Sequence, residues 1–140
     1  MDTQVKKSHY FRKKYNSLER FISYYYQTSL VSDLVGNSGK VLEVGVGVNI
    51  TSAYLKSTGL EVITCDIDKD LNSDVIADVR NLPFESSSFD VVTTFEVLEH
   101  LPWEDFERTL MELKRVSKKN VIISLPYRSS GFEFVFKFPG

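Results

Sequence analysis

The run Val41-Leu42-Glu43-Val44-Gly45-Val46-Gly47-Val48-Asn49 constrains this chain more than any other stretch. Val41, Leu42 and Val44 form a short apolar segment, rich in β-branched residues, of the kind buried on both faces of a sheet. Two glycines spaced one apart then break it, and helix-compatible residues follow. Gly45 and Gly47 let the main chain enter positive φ and let a ligand approach it with no Cβ in the way. A glycine turn between strand and helix sets N–H groups and a helix N-terminus at the carboxyl end of a sheet. Open α/β folds bind nucleotide-like ligands there. The dinucleotide fingerprint is incomplete, because its third glycine would fall on Ile50. The turn therefore specifies a ligand at a strand end without specifying which.

With 140 residues the chain reads as one domain with a real core. Its net charge of −2 provides no overall field for nucleic acid or membrane. Basic residues cluster at Lys6, Lys7, Arg12, Lys13 and Lys14, and again at Lys114, Arg115, Lys118 and Lys119. Both runs read as solvated helix faces or ends rather than phosphate tracks. No apolar run approaches the roughly 20 residues that span a bilayer, and the polar start Met1-Asp2-Thr3-Gln4 is not a signal peptide. The lone Cys65 has no intrachain partner, and the expected location is the cytoplasm.

Taken in order, residues 8 to about 35 read as helix. Tyr10, Phe11, Tyr15, Leu18, Phe21, Ile22, Tyr25 and Leu30 recur at three- and four-residue spacings. A break near Asn16-Ser17 would make Ser17 an N-cap without a capping box, since Arg20 stands where Glu or Gln would be. Tyr24, Tyr25 and Tyr26 are expected in the core, and Gly36-Asn37-Ser38-Gly39 ends the helical region. Beyond the glycine turn, Thr51 to Thr58 predicts a short helix closed by Gly59. Strands are expected at Glu61 to Cys65, Val75 to Ala77, Phe89 to Thr94 and Asn120 to Ser124. A helical turn from Glu96 to about Leu101 precedes an amphipathic helix over Trp103 to Val116, with Phe106, Leu110 and Leu113 on one face. This alternation predicts a parallel, doubly wound α/β sheet.

Carboxylates close three successive strands: Asp66, Asp78 and Glu96. Glu43 lies inside the first strand, just before the glycines. Asp66 follows Gly45 by about 20 residues, the spacing at which an acid meets a ribose diol in such folds. Asp78 is placed to accept from an exocyclic amine or to hold a loop amide. Any one of these acids alone would read as a helix N-cap or turn-former. Together they ring one crevice.

These residues carry a family resemblance. From Gly39 to Ser124 the chain resembles the class I S-adenosylmethionine-dependent methyltransferases, in particular the small type 11 domains. The matching motifs are Leu42-Glu43-Val44-Gly45-Val46-Gly47, Thr64-Cys65-Asp66-Ile67, Asp78 with Leu82-Pro83-Phe84, Ser88-Phe89-Asp90-Val91-Val92, and Val97-Leu98-Glu99-His100-Leu101. The resemblance implies a mostly parallel Rossmann-like sheet of order 3-2-1-4-5, with residues 1–36 as a helical lid and 39–126 as the core. It also implies S-adenosylmethionine as cofactor. Gly45, Val46 and Gly47 would line its methionine part and Glu43 would support its amino group. Asp66 would bind the ribose, Ile67 would pack on the adenine, and Asp78 with Val79 would meet the adenine amine and ring. Phe95 and Glu96 would close the crevice.

Two departures stand out. Asn49 replaces the family's third glycine, and asparagine tolerates the left-handed conformation better than most residues. The family's usual sixth and seventh strands are also missing. Residues 127–140 form only a strand-like tail, in which Phe132, Phe134, Phe136 and Phe138 share one face. Such a strand would pack on this sheet, pair with a second copy as a homodimer, or lead into further sequence.

The resemblance implies methyl transfer by in-line displacement to a small-molecule or accessible macromolecular acceptor, with alignment and water exclusion as the protein's main contributions. Glu96 and His100 are the candidate catalytic groups. Glu96, Glu99 and His100 would share one face of a helical turn, a spacing usable by a metal, although no metal is expected. Two other readings are a non-catalytic cofactor- or partner-binding module and a nicotinamide-dependent oxidoreductase. Ile50 and the Glu43-Val44-Gly45 form of the turn disfavour the second of these.

Overall fold

The computed structural model describes residues 17–126. Residues 1–16, including part of the expected first helix, and the tail at 127–140 lie outside the described residues. Five strands form one sheet: β1 (Lys40–Val44), β2 (Glu61–Asp66), β3 (Val75–Ile76), β4 (Phe89–Phe95) and β5 (Ser117–Ser124). All pairings are parallel and the order is β3-β2-β1-β4-β5, as expected. The helices are α1 (Leu18–Val35), α2 (Ile50–Ser57) and α3 (Phe106–Val116). Among the described residues no helix is long and apolar enough to cross a membrane.

Alternation along the strands divides the core into two layers. Val41, Val62, Val91 and Ile122 pack with Val31 of α1 and Leu55 of α2 on one face. Leu42, Val92, Val121 and Ile123 pack with Leu113 and Val116 of α3 on the other. Both faces of β1 are therefore covered, which explains why Val41, Leu42 and Val44 are all apolar.

Ser17 caps α1 as predicted, its hydroxyl accepting from Arg20 N at 3.4 Å. The buried face of α1 is not the expected one. Gln27, Thr28 and Val31 are buried, whereas Leu18, Phe21, Ile22, Tyr25 and Tyr26 are largely exposed. Helical periodicity correctly groups these side chains, but it does not choose which group meets the sheet. The expected core placement of Tyr25 and Tyr26 is thereby overturned.

Three boundaries also differ from expectation. β5 starts at Ser117, its polar first half being solvated and so silent in the hydropathy pattern, and its register with β4 shifts between Phe89 and Val91. β3 is only two residues long. The predicted helix at Trp103 opens as a 3-10 turn, Trp103–Asp105, with the α-helix beginning at Phe106.

Candidate functional site

At the carboxyl end of β1 the chain turns through Gly45 (φ 87°) and Gly47 (φ 50°) and then through Asn49 (φ 61°). Asn49 thus holds the left-handed position of the absent third glycine, and its Oδ1 accepts from the Ser52 hydroxyl at the start of α2. Gly45 has a steric reason as well as a conformational one. A Cβ there would sit 2.1 Å from Val97 Cγ2. Asp66, at the end of β2, fixes the bend: Oδ2 accepts from Val46 N at 2.8 Å and Oδ1 from Asp68 N at 2.9 Å. The carboxylate is buried, and burial pushes its pKa up against the opposing pull of those amides. The Gly47 amide pulls in the same direction as those two.

Glu43 stands behind this bend. It is buried among the strands, and its Oε2 has no hydrogen-bond partner. Burial pushes its carboxyl up to about 7, against the weaker influence of Ser52 and Lys56. An unpartnered buried acceptor is costly unless a donor arrives.

One cavity gathers Glu43, Gly45, Val46, Gly47, Phe95, Glu96 and His100. α1 supplies a further wall through Arg20, Tyr24 and Gln27, and the start of α2 another through Ile50 and Thr51. The sequence offers α1 as a lid and one of Tyr24, Tyr25 and Tyr26 as a secondary candidate to lie over a ligand, but it does not single out Arg20 or Gln27. Only the helical spacing of Arg20, Tyr24 and Gln27 hints that they share a face. Gln27 is buried and accepts from the Thr51 hydroxyl at 3.2 Å, tying α1 to α2. Arg20 Nη1 donates to Glu96 Oε2 at 2.5 Å.

Other expected residues stand apart. The carboxylate of Asp78 holds a loop amide, accepting from Arg80 N at 2.9 Å, and also grips the Arg80 guanidinium, which lowers its pKa. It lines a separate hollow with Arg80, Asn81, Asp105 and Arg108. The Val79 side chain is buried in the α3-side core cluster that also holds Ala77 and Leu82. Ile67 is half-buried directly after β2.

The expected helical turn that would gather Glu96, Glu99 and His100 also differs. Glu96 adopts φ 56°, outside the short 3-10 turn Leu98–His100, so its side chain goes to Arg20 instead. Glu99 lies 4.0 Å from His100, and burial raises its carboxyl to about 7. Among the described residues no three His, Cys, Asp or Glu side chains are arranged to hold a metal ion.

The family model described as a methyltransferase domain matches residues 42–125. The chain belongs to that methyltransferase family. Its sheet order is the one found in S-adenosylmethionine-dependent members. The demethylmenaquinone methyltransferase of Corynebacterium glutamicum is 33% identical over 88 residues, 56% of this chain and 37% of that protein. The chain thus spans little more than a third of the curated relatives it matches. The PH0226 protein of Pyrococcus horikoshii OT3 superposes with a TM-score of 0.73 at 25% identity, over 86% of this chain and 66% of that one. A Burkholderia thailandensis 1,6-didemethyltoxoflavin-N1-methyltransferase, solved with that substrate and S-adenosylhomocysteine, has a TM-score of 0.66. It covers 98% of this chain and 72% of its own, and at 14% identity it is a likeness of fold alone.

The residues present fit the cofactor of this methyltransferase family. Glu43 offers an unsatisfied acceptor where an ammonium could dock, the glycine bend exposes main chain, and the Asp66 carboxylate stands against that bend.

Proposed function

We propose that this protein transfers a methyl group from S-adenosylmethionine to a small-molecule acceptor. The observation that carries this reading is the buried carboxylate of Glu43, with one oxygen lacking a partner, opening on a cavity framed by Gly45 and Gly47. When bound, S-adenosylmethionine supplies a methyl on positively charged sulfur, which an acceptor lone pair takes in line as the thioether leaves. The chain's own residues position and enclose. Glu43 accepts from the ammonium, the Gly45–Gly47 main chain lies against the amino-acid end, and Asp66 accepts from the sugar hydroxyls. Phe95 and Val97 exclude water from the cavity's apolar wall. His100 and Glu96 are the groups at that end able to receive a proton from the acceptor.

A small-molecule acceptor agrees with the activity of the Corynebacterium demethylmenaquinone methyltransferase. We place the enzyme in the cytoplasm because Cys65 stays a free, buried thiol. The homodimer expected through Phe132, Phe134, Phe136 and Phe138 lies outside the described residues; a monodisperse monomer in light scattering would remove it.

Thermal shift tests the main reading. S-adenosylmethionine and S-adenosylhomocysteine should each raise the melting temperature in proportion to log concentration above Kd, and NAD should not. A shift with NAD alone overturns the proposal. Binding of S-adenosylmethionine without turnover across an acceptor panel would favour the non-catalytic module.

A further inference from the structure

The Arg20–Glu96 pair sits where a ligand's charges must be matched. Its two side chains are only 26% and 23% exposed, and both line the cavity that Glu43 enters. The amino-acid end of the proposed cofactor is a zwitterion. Its ammonium has Glu43; its carboxylate needs a cation. Among the described residues lining that cavity Arg20 is the sole Lys or Arg, and its fork already faces Glu96.

Glu96 is held in place with some effort. Its backbone occupies the left-handed region at φ 56°, costly for a residue with a Cβ, and Glu96 N donates to Ser124 O at 2.9 Å to keep it there. A built-in carboxylate and an incoming one are chemically alike, and a guanidinium fork binds one carboxylate well at a time.

Resting on the cofactor reading above, we propose that Glu96 is an internal competitor for the cofactor's carboxylate. Arg20 passes from Glu96 to the ligand as the cofactor enters. Glu96 is thereby released beside His100, so the acceptor end of the cavity acquires its free carboxylate only after the cofactor has bound. Cofactor-first order follows from that exchange.

Calorimetry separates the possibilities with two probes. S-adenosylhomocysteine carries the zwitterion; 5′-methylthioadenosine keeps the nucleoside and sulfur but lacks it. Replacing Glu96→Gln removes the competitor, and S-adenosylhomocysteine should then bind about threefold tighter or more, with 5′-methylthioadenosine unchanged. Replacing Arg20→Gln should weaken S-adenosylhomocysteine about tenfold or more, again sparing 5′-methylthioadenosine. Glu96→Ala serves the same comparison should the glutamine variant fail to fold. If wild type binds S-adenosylhomocysteine and loss of the Glu96 charge leaves the affinity equal or weaker, the exchange is overturned and the cofactor reading stands. No binding of S-adenosylhomocysteine to wild type overturns both.

Discussion

Glu43 is the residue with most at stake in its surroundings. Unfolded, its carboxyl titrates near 4.5; folded, near 7, because burial penalises the charge. The fold therefore favours the protonated form. Its contribution to stability is complete below about pH 4.5 and is lost as pH rises through about 7, a difference of about 3 kcal/mol at most. The melting temperature of ligand-free protein should fall between about pH 5 and about pH 8, and Glu43→Gln should flatten that slope. Glu99, also raised to about 7, adds a slope of the same sign. S-adenosylhomocysteine affinity should move the other way over this range, because the ammonium needs the ionised carboxylate. Gly45 makes a second residue-scale case. Gly45→Ala places a Cβ on Val97 at positive φ and should cost about 2–3 kcal/mol in urea unfolding. Adding Val97→Ala should recover the clash but not the backbone strain. Gly45, Asn49 and Asp66 were legible in the sequence because a turn demands particular residue types at fixed separations. Asp78 is legible as a strand-end acid that would meet an exocyclic amine or hold a loop amide, and it does hold the amide of Arg80. Arg80, two residues on, claims its carboxylate, and no pattern of spacing announces that.

Among the elements, α3 was read best and α1 worst. The amphipathic period of α3 is strong enough to set its own face, and Leu113 and Val116 are fully buried as that period requires. In α1 the period is far weaker, and Arg20, Tyr24 and Gln27 meet the sheet end while Phe21 and Tyr25 do not. Which face a helix turns inward is decided by what it crosses, and local sequence does not encode that crossing. α3 also holds the loop before β4. Arg115 donates to Phe84 O at 2.7 Å and Leu82 O at 3.0 Å, while Glu112 accepts from Leu82 N at 2.7 Å and pairs with Arg115. Arg115→Ala should cost about 1–3 kcal/mol in urea unfolding, because two carbonyls lose their donor. Arg115→Lys should restore little, since an ammonium does not reproduce the planar fork.

At the scale of the molecule, the parallel sheet follows from strands and crossovers alternating along the chain, and the site lies where the chain leaves the neighbouring strands β1 and β4 in opposite directions, toward β2 and toward β5. Those opposed connections open the crevice, and they bring the glycine turn after β1 beside Asp66 after β2 and Glu96 after β4, though all are far apart in sequence. Cys65 lies in the middle of this assembly, fully buried, its thiol pushed up to about 12 by burial and the nearby Asp66 charge. As the chain's single cysteine, it turns β2 into a chemical stopwatch. Iodoacetamide should label native protein no faster than the sheet comes apart, and should label urea-unfolded protein at the pace of a free thiol. A saturating cofactor analogue should slow the clock by the factor its binding adds to the folding equilibrium, so one mass-spectrometric time course would read out cohesion and ligand occupancy together.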